Sequence, residues 1–85
     1  MDELLEEIRQ EYHIPPFFSY DALKSLADEG KYRLEKLNPG FDLKKDLMGR
    51  HLLKTYVYYA YHNKTDTWVK NYSSTIIEWQ MGSEI

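Results

Sequence analysis

Apolar residues recur at helical spacing in four stretches of the chain, and this pattern predicts an all-α fold. The first, second and fourth stretches each combine one apolar face with one polar face, as helices on the outside of a globular protein do. We expect a small bundle of about four helices, at approximately residues 2–12, 20–38, 43–62 and 66–81. The predicted core face of the first helix is Leu4, Leu5, Ile8 and Tyr12. That of the second helix is Leu23, Leu26, Ala27, Gly30, Leu34 and Leu37. That of the fourth helix is Trp68, Val69, Tyr72, Ile76 and Trp79.

Turn-forming and capping residues separate these stretches. The segment 13–19 contains two adjacent prolines, which cannot continue a helix, and it is predicted to be a linker after the first helix. Its apolar residues Ile14, Phe17 and Phe18 are expected to pack on the body of the protein. Ser19 or Asp21 is expected to cap the second helix, Asp42 the third and Thr65 the fourth.

The third predicted helix is apolar around most of its circumference. A helix of this kind is usually buried in a bundle or covered by a partner. Residues 55–61 also have high strand propensity, but the helical pattern of the two preceding turns favours a helix. The residues that flank its main apolar stripe are Met48 and Tyr59 on one side and Leu47, Tyr58 and Tyr61 on the other.

Gly30 interrupts the apolar face of the second predicted helix. Glycine inside a helix costs about 1 kcal/mol relative to alanine. The close approach of another helix can compensate for this cost. We therefore predict a helix contact at Gly30.

The chain is short for a protein that must form its own core. It has 85 residues and is expected to fold as a single helical domain over residues 1–85. Chains of this size are commonly stabilised by disulfides, a metal or oligomerisation. The chain has no cysteine, which excludes disulfides. His51 and His62 lie about 16 Å apart along one helix and cannot share a metal. Oligomerisation is therefore the remaining way to stabilise a chain of this size.

Tyrosine is the most unusual component of the chain. Aromatic residues make up 15% of it, and eight of them are tyrosines. Tyrosine has an apolar body and a polar tip, and it is enriched where proteins meet. We predict that Tyr58, Tyr59 or Tyr61, on the flanks of the third helix, lies on an assembly surface.

Charge is unevenly placed along the chain. The net charge is −3, but residues 1–12 carry −4 and residues 22–64 carry +4. Three interpretations of this charge pattern remain open: solvated helix faces, ion pairing within one chain, and head-to-tail ion pairing between copies. For pairing between copies, the candidate residues are Glu6, Glu7 and Glu11 on one copy and Lys31, Arg33 and Lys36 on the next.

No motif for catalysis or for cofactor binding is present in the sequence. Its serines do not lie in a nucleophile-elbow pattern, and a glycine-rich phosphate loop is lacking. We therefore expect a protein that is not an enzyme and that has no cofactor or metal. No apolar run approaches the roughly 20 residues that span a bilayer, and the N-terminus is acidic, so we expect neither a membrane partner nor a secretory signal.

Three stretches of the sequence follow a characteristic order. Residues 21–30 read DALKSLADEG, residues 50–59 read RHLLKTYVYY and residues 66–72 read DTWVKNY. A leucine-patterned helix thus precedes an Arg-x-Leu-Leu helix rich in tyrosine. A helix with an aspartate, an aromatic residue two positions later and an Asn-Tyr pair follows. Over about residues 20–80 this order resembles the head–tail connector proteins of long-tailed bacteriophages, also called head-completion or adaptor proteins.

The resemblance implies a structural role in a virion. A connector of this family is a small all-α subunit, and many copies, dodecameric by family resemblance, form a ring under the portal protein. A tail-side connector protein docks below the ring, and DNA passes through its channel without sequence-specific binding. The expected location is then the head–tail junction of the virion, and the host cytoplasm during assembly.

A second hypothesis is a small helical DNA-binding or regulatory module. Lysines interleaved with aromatic residues can neutralise phosphate and stack on bases. The overall pI of about 5.5 argues against it, as does the lack of a contiguous stripe of Lys and Arg.

Overall fold

The computed structural model describes residues 2–82, and these form four α-helices with no strand among them. The predicted all-α bundle is confirmed, and residues 55–61, which also have strand propensity, are helical. Within residues 2–82, no helix is both long enough and apolar enough to cross a membrane. The helices are α1 (Asp2–Glu11), α2 (Tyr20–Leu37), α3 (Leu47–Tyr61) and α4 (Thr65–Gly82).

α3 is the central helix of the bundle. It packs along α2 on one side and along α4 on the other, while α1 lies against both α2 and α3. α2 and α4 make little direct contact with each other. As a result, an open groove runs between them.

The buried face of α3 joins the other helices into one core. The ring of Tyr56 meets that of Trp68 on α4 edge-on, with 5.0 Å between centroids. Thr55, the one buried polar side chain among the described residues, accepts a hydrogen bond from Trp68 Nε1 at 3.0 Å and donates one to the Leu52 carbonyl at 2.9 Å. The apolar core consists of Leu4, Leu5, Ile8, Ile14, Leu23, Ala27, Leu34, Leu52, Leu53, Tyr56, Val57, Ala60, Trp68, Ile76 and Trp79.

The third helix begins later than predicted. Asp42 does not cap it, because its side chain accepts a hydrogen bond from Lys44 N at 2.9 Å within a separate turn. Asp46 is the cap instead, and its side chain accepts from Gly49 N at 2.9 Å and from Trp79 Nε1 on α4 at 2.7 Å. The start of α3 is therefore tied to the end of α4.

The linker between α1 and α2 packs only in part on the body of the protein. Ile14 is buried in the core, and Phe18 packs edge-on against Tyr61 at 4.8 Å between centroids. Phe17 is 87% exposed, so the expectation that it packs on the body is wrong. Ser19 caps α2 by accepting a hydrogen bond from Ala22 N at 3.1 Å.

Two further expectations about buried faces are corrected by the structure. Val69 is 44% exposed rather than part of the core of α4. Leu37, at the end of α2, is also exposed. Both residues line the groove between α2 and α4, where no helix lies over them.

Gly30 lies at the point where α2 meets α3, as predicted. A Cβ atom placed on it would lie 2.6 Å from Tyr56 Cδ1 and 2.8 Å from Leu53 Cδ1. Both neighbours are fully buried and have little room to move. The absence of a side chain at Gly30 thus permits this contact.

We predict that Gly30→Ala destabilises the protein. The gain in helix propensity is about 1 kcal/mol, but overpacking a buried contact typically costs about 1–3 kcal/mol. A net loss of about 1 kcal/mol in the free energy of unfolding is expected from urea denaturation. Ser25→Ala, on an exposed position of the same helix, is the control and should be neutral or stabilising. A Gly30→Ala protein as stable as the Ser25→Ala protein would contradict the close contact.

Candidate functional site

The three tyrosines predicted to lie on an assembly surface are half-buried in an aromatic cluster. Tyr58 stacks on Tyr12 of α1 with 4.8 Å between ring centroids. Tyr59 packs edge-on against Tyr72 of α4, and Asn71 Nδ2 donates to its hydroxyl at 3.3 Å. Their rings therefore join helices within the chain, and only parts of them reach the surface.

Tyr61 occupies the edge of the same cluster. Its ring meets those of Phe18 and His62, at centroid distances of 4.8 Å and 5.0 Å. His62 follows the last residue of α3 and also packs against Tyr58. The most exposed tyrosines are instead Tyr20 at 45%, the first residue of α2, and Tyr32 at 64%, in the second half of the same helix.

Two of the three acidic candidates form ion pairs within the chain. Glu7 Oε2 lies 2.8 Å from Arg50 Nη2 and 3.1 Å from Lys54 Nζ, and Glu11 Oε1 lies 2.9 Å from Lys54 Nζ. The alternative of pairing between the acidic first helix and the basic middle of one chain is thus present in the structure. Glu6 is exposed and accepts a hydrogen bond from Gln10 at 3.4 Å.

The hydrogen bonds from Arg50 and Lys54 lower the pKa of Glu7 below its usual value of 4.5. Because a lowered carboxyl pKa favours folding above the unfolded pKa, this contribution to stability is lost as the pH falls through the folded pKa. Acidification is therefore expected to weaken the attachment of α1 to α3.

We predict that Arg50→Gln raises the pKa of Glu7 back toward 4.5, because Arg50 is its strongest partner. An NMR titration of the Glu7 side-chain carboxyl carbon measures this directly. Arg33→Gln removes the same charge from α2 and is the control, for which no shift of Glu7 is expected. A Glu7 pKa that is equal in all three proteins would contradict the ion pair.

The basic candidates on α2 are directed to different surroundings. Lys31 lines a polar cavity of about 650 Å³ together with Glu3 and Glu35 of its own chain. The guanidinium of Arg33 lies 5.6 Å from the centroid of the Tyr56 ring. The ammonium of Lys36 lies 5.2 Å from the centroid of the exposed Tyr32 ring. Within residues 2–82, none of these three cations forms a salt bridge.

An apolar groove of about 530 Å³ lies between α2 and α4. Its deepest residues are Trp68 and Ile76, which belong to the core, and Arg33 and Lys36 stand on its α2 side. The exposed apolar side chains along the groove are Tyr32 at 64%, Leu37 at 39%, Val69 at 44% and Ile77 at 56%. Gln80 Nε2 donates to the Leu37 carbonyl at 2.7 Å and bridges the two helices at one end.

Part of this groove was predictable from the sequence. Positions 69, 73 and 77 recur every fourth residue and therefore share one face of α4. Val69 and Ile77 on that face are apolar, whereas Ser73 between them is small and polar. This mixed face indicates a surface that is neither core nor fully solvated.

Tyr56 connects the core to the charged surface of α2. Its ring is fully buried, and its hydroxyl donates a short hydrogen bond to Glu29 Oε1. Burial and this hydrogen bond raise the pKa of Tyr56 to about 12. Because the folded protein holds the phenol proton more tightly than the unfolded chain does, this contribution is complete below about pH 10 and is lost as the pH rises toward 12.

We predict that Tyr56→Phe makes stability less sensitive to alkaline pH. A shift of this size corresponds to about 2 kcal/mol lost by the wild type between pH 10 and 12, and the variant lacks this loss. At neutral pH the variant should be less stable by about 1–2 kcal/mol, because the hydrogen bond to Glu29 is absent. Urea unfolding across the pH range measures both effects. Equal alkaline slopes for the two proteins would contradict the role assigned to Tyr56.

Among residues 2–82, no group of three or more His, Cys, Asp or Glu side chains is arranged to hold a metal ion. His51 faces Tyr72, with 6.4 Å between ring centroids, and His62 lies in the aromatic cluster. The groove between α2 and α4 and the exposed Phe17 are two surface features that the packing of the chain leaves unexplained. Further exposed apolar side chains, outside both, are Leu47, Met48 and Met81.

Comparison of the chain with protein-family models, curated proteins and solved structures finds no match.

Proposed function

We propose that the protein is a structural subunit of a ring that connects the head of a phage particle to its tail. The ring passes DNA without sequence-specific binding, and its partners are further copies of the chain, a portal protein and a tail-side connector protein. The proposed role is not enzymatic and is located in the virion, at the head–tail junction. The observation that carries this proposal is the exposed apolar groove between α2 and α4.

The groove supports an assembly role for a physical reason. Contiguous exposed apolar surface with a polar rim is uncommon on proteins that act alone, and it marks places where proteins meet. Here the groove holds four exposed apolar side chains and two cations without a salt bridge. An interface that is apolar at its centre and charged at its rim has the anatomy expected of a subunit contact.

The placement of the connector-like residues also supports the proposal. Residues 21–30 lie in α2, residues 50–59 in α3 and residues 66–72 in α4. The resemblance thus covers the three helices that form the walls and floor of the groove, and it leaves out α1. A ring follows when two different faces of one subunit meet repeatedly until the rotation closes.

We predict that the purified protein assembles into rings as its concentration rises. Light scattering coupled to size exclusion gives the mass, and negative-stain electron microscopy shows whether the particles are closed. Raising the salt concentration should weaken assembly, because ion pairs at the rim of an interface are screened.

Lys36→Glu tests the contribution of the rim. Exposed ion pairs are worth about 0.2–1 kcal/mol, so the variant should assemble up to about five-fold less tightly. Lys64→Glu, an equal change of charge on the exposed turn before α4, is the control and should assemble as the wild type does. Equal assembly of both variants would remove the charged rim from the proposal.

The alternative function is a small helical DNA-binding or regulatory module. It is favoured by the exposed Tyr32 ring with Lys36 beside it, because a ring and a cation together can engage a base and a phosphate. A protein that stays monomeric or dimeric, and that shifts duplex DNA in a gel with a steep salt dependence, would replace the ring proposal with this one.

A further inference from the structure

Phe17 stands at the tip of a tight turn in the linker between α1 and α2. Phe18 N donates to the Pro15 carbonyl at 3.0 Å, which closes the turn around Pro16 and Phe17. The side chain of Phe17 is 87% exposed, more than any other large apolar side chain among the described residues. Since it adds nothing to the core, the fold itself does not require an aromatic residue here.

The turn is held in place by Arg9 of α1. Its guanidinium donates to the Pro15 carbonyl at 2.8 Å and to the Phe18 carbonyl at 3.0 Å, one on each side of Phe17. Ile14 and Phe18 anchor the two ends of the turn in the core and in the aromatic cluster. Phe17 is therefore presented in a fixed position, and fixing a contact residue beforehand reduces the entropy lost on binding.

The exposed charged side chains in the first turns of the helices before and after this Phe17 knob, defined as the turn of residues 15–18, are acidic, whereas Arg9, which binds the turn, is half-buried. Asp2 and Asp21 lie in the first turns of α1 and α2. The Tyr20 hydroxyl donates a hydrogen bond to Asp2, which joins these two helix starts. The half-exposed Tyr20 follows Phe17 by three residues.

The groove between α2 and α4 has the opposite character. It is concave and apolar, with Arg33 and Lys36 on its α2 side. Its volume of about 530 Å³ is in the range of pockets that enclose aromatic groups. The convex, acidic knob and the concave, basic groove are therefore complementary in shape, in hydrophobicity and in charge.

The knob of one molecule cannot enter its own groove. Phe17 precedes the first residue of α2, whereas the groove begins at Tyr32, about 18 Å farther along the helix axis at 1.5 Å per residue. α2 is a continuous helix between these points and keeps them apart.

We propose that the Phe17 knob of one copy inserts into the α2–α4 groove of the next copy. This inference rests on the proposed ring, because it names the head-to-tail contact that such a ring needs. Burying Phe17 and its neighbours removes a large aromatic ring from water, and Asp2 and Asp21 come to face Arg33 and Lys36. Since knob and groove are different surfaces, each copy can contact two others.

The absence of cysteine makes a direct test of the contact possible. Pro16→Cys, on the exposed residue beside Phe17, keeps the aromatic ring of the knob; it and Ile77→Cys are made separately and mixed under oxidising conditions. We expect a disulfide-linked heterodimer in excess of the homodimers that each variant forms alone. Leu47→Cys, at a site 78% exposed but outside the knob and the groove, replaces Ile77→Cys in the control mixture. The disulfide also traps a contact that is too weak to survive chromatography. A heterodimer yield equal to that of the control mixture would therefore overturn the proposal.

A complementation experiment tests whether the contact is head-to-tail. Phe17→Ser removes the knob, and Ile77→Arg blocks the groove; both sites are exposed, and circular dichroism checks that the variants fold. Each variant alone should lose assembly beyond the monomer. An equal mixture should form a dimer and stop there, because it contains one intact knob and one intact groove. Variants that assemble as the wild type does would overturn the proposal and leave the groove to another partner.

The two proposals can fail separately. If the wild type forms rings but positions 16 and 77 do not cross-link, the proposed ring stands and the knob-and-groove contact is wrong. A cross-link and a complementing dimer, with wild-type particles that are open filaments rather than rings, would keep the contact and remove the connector ring.

Discussion

The packing of Tyr56 between α2 and α4 is the interaction on which the rest of the structure depends. Its ring lies against Gly30 of α2 and meets Trp68 of α4 edge-on, while its hydroxyl reaches Glu29. Because the ring occupies the space where a side chain at position 30 would lie, α2 can approach α3 closely. Trp68 is also held by the hydrogen bond that it donates to Thr55, the residue before Tyr56. One turn of α3 therefore sets the positions of both neighbouring helices.

The groove is a consequence of this arrangement. Both α2 and α4 pack on α3, and few contacts join them to each other. α1 lies on the α2 and α3 side of the bundle, where Leu5 and Ile8 are buried in the core. Its Glu7 and Glu11 form ion pairs with α3 there. With α1 placed there, the described residues offer no helix that covers the opposite space between α2 and α4. Within residues 2–82, the four helices therefore leave the apolar groove between α2 and α4 open.

The sequence was sufficient for the number and type of helices and the helix contact at Gly30, because these depend on local spacing and on the size of one residue. It left the cap of α2 open between Ser19 and Asp21, and in the structure Ser19 is the cap. The sequence was insufficient where a contact with a residue distant in the chain determines a helix start or the exposure of a side chain. Asp46 rather than Asp42 starts α3 because Trp79 of α4 also binds Asp46. Phe17 is exposed because Arg9 holds both carbonyls that flank it. Neither long-range hydrogen bond follows from periodicity.

The distribution of exposed apolar side chains bears on the kind of assembly that this fold favours. A dimer with twofold symmetry needs one self-complementary patch, whereas a ring or a filament needs two different patches that fit each other. Here the exposed aromatic tip at Phe17 and the apolar groove around Ile77 are at opposite ends of α2 and carry opposite charge at their margins. Two knobs would bring acidic helix starts together, and two grooves would face concave surfaces without a side chain to fill them. The proposed contact of knob with groove satisfies both surfaces at once, and this is why we propose repeated head-to-tail association rather than a closed dimer.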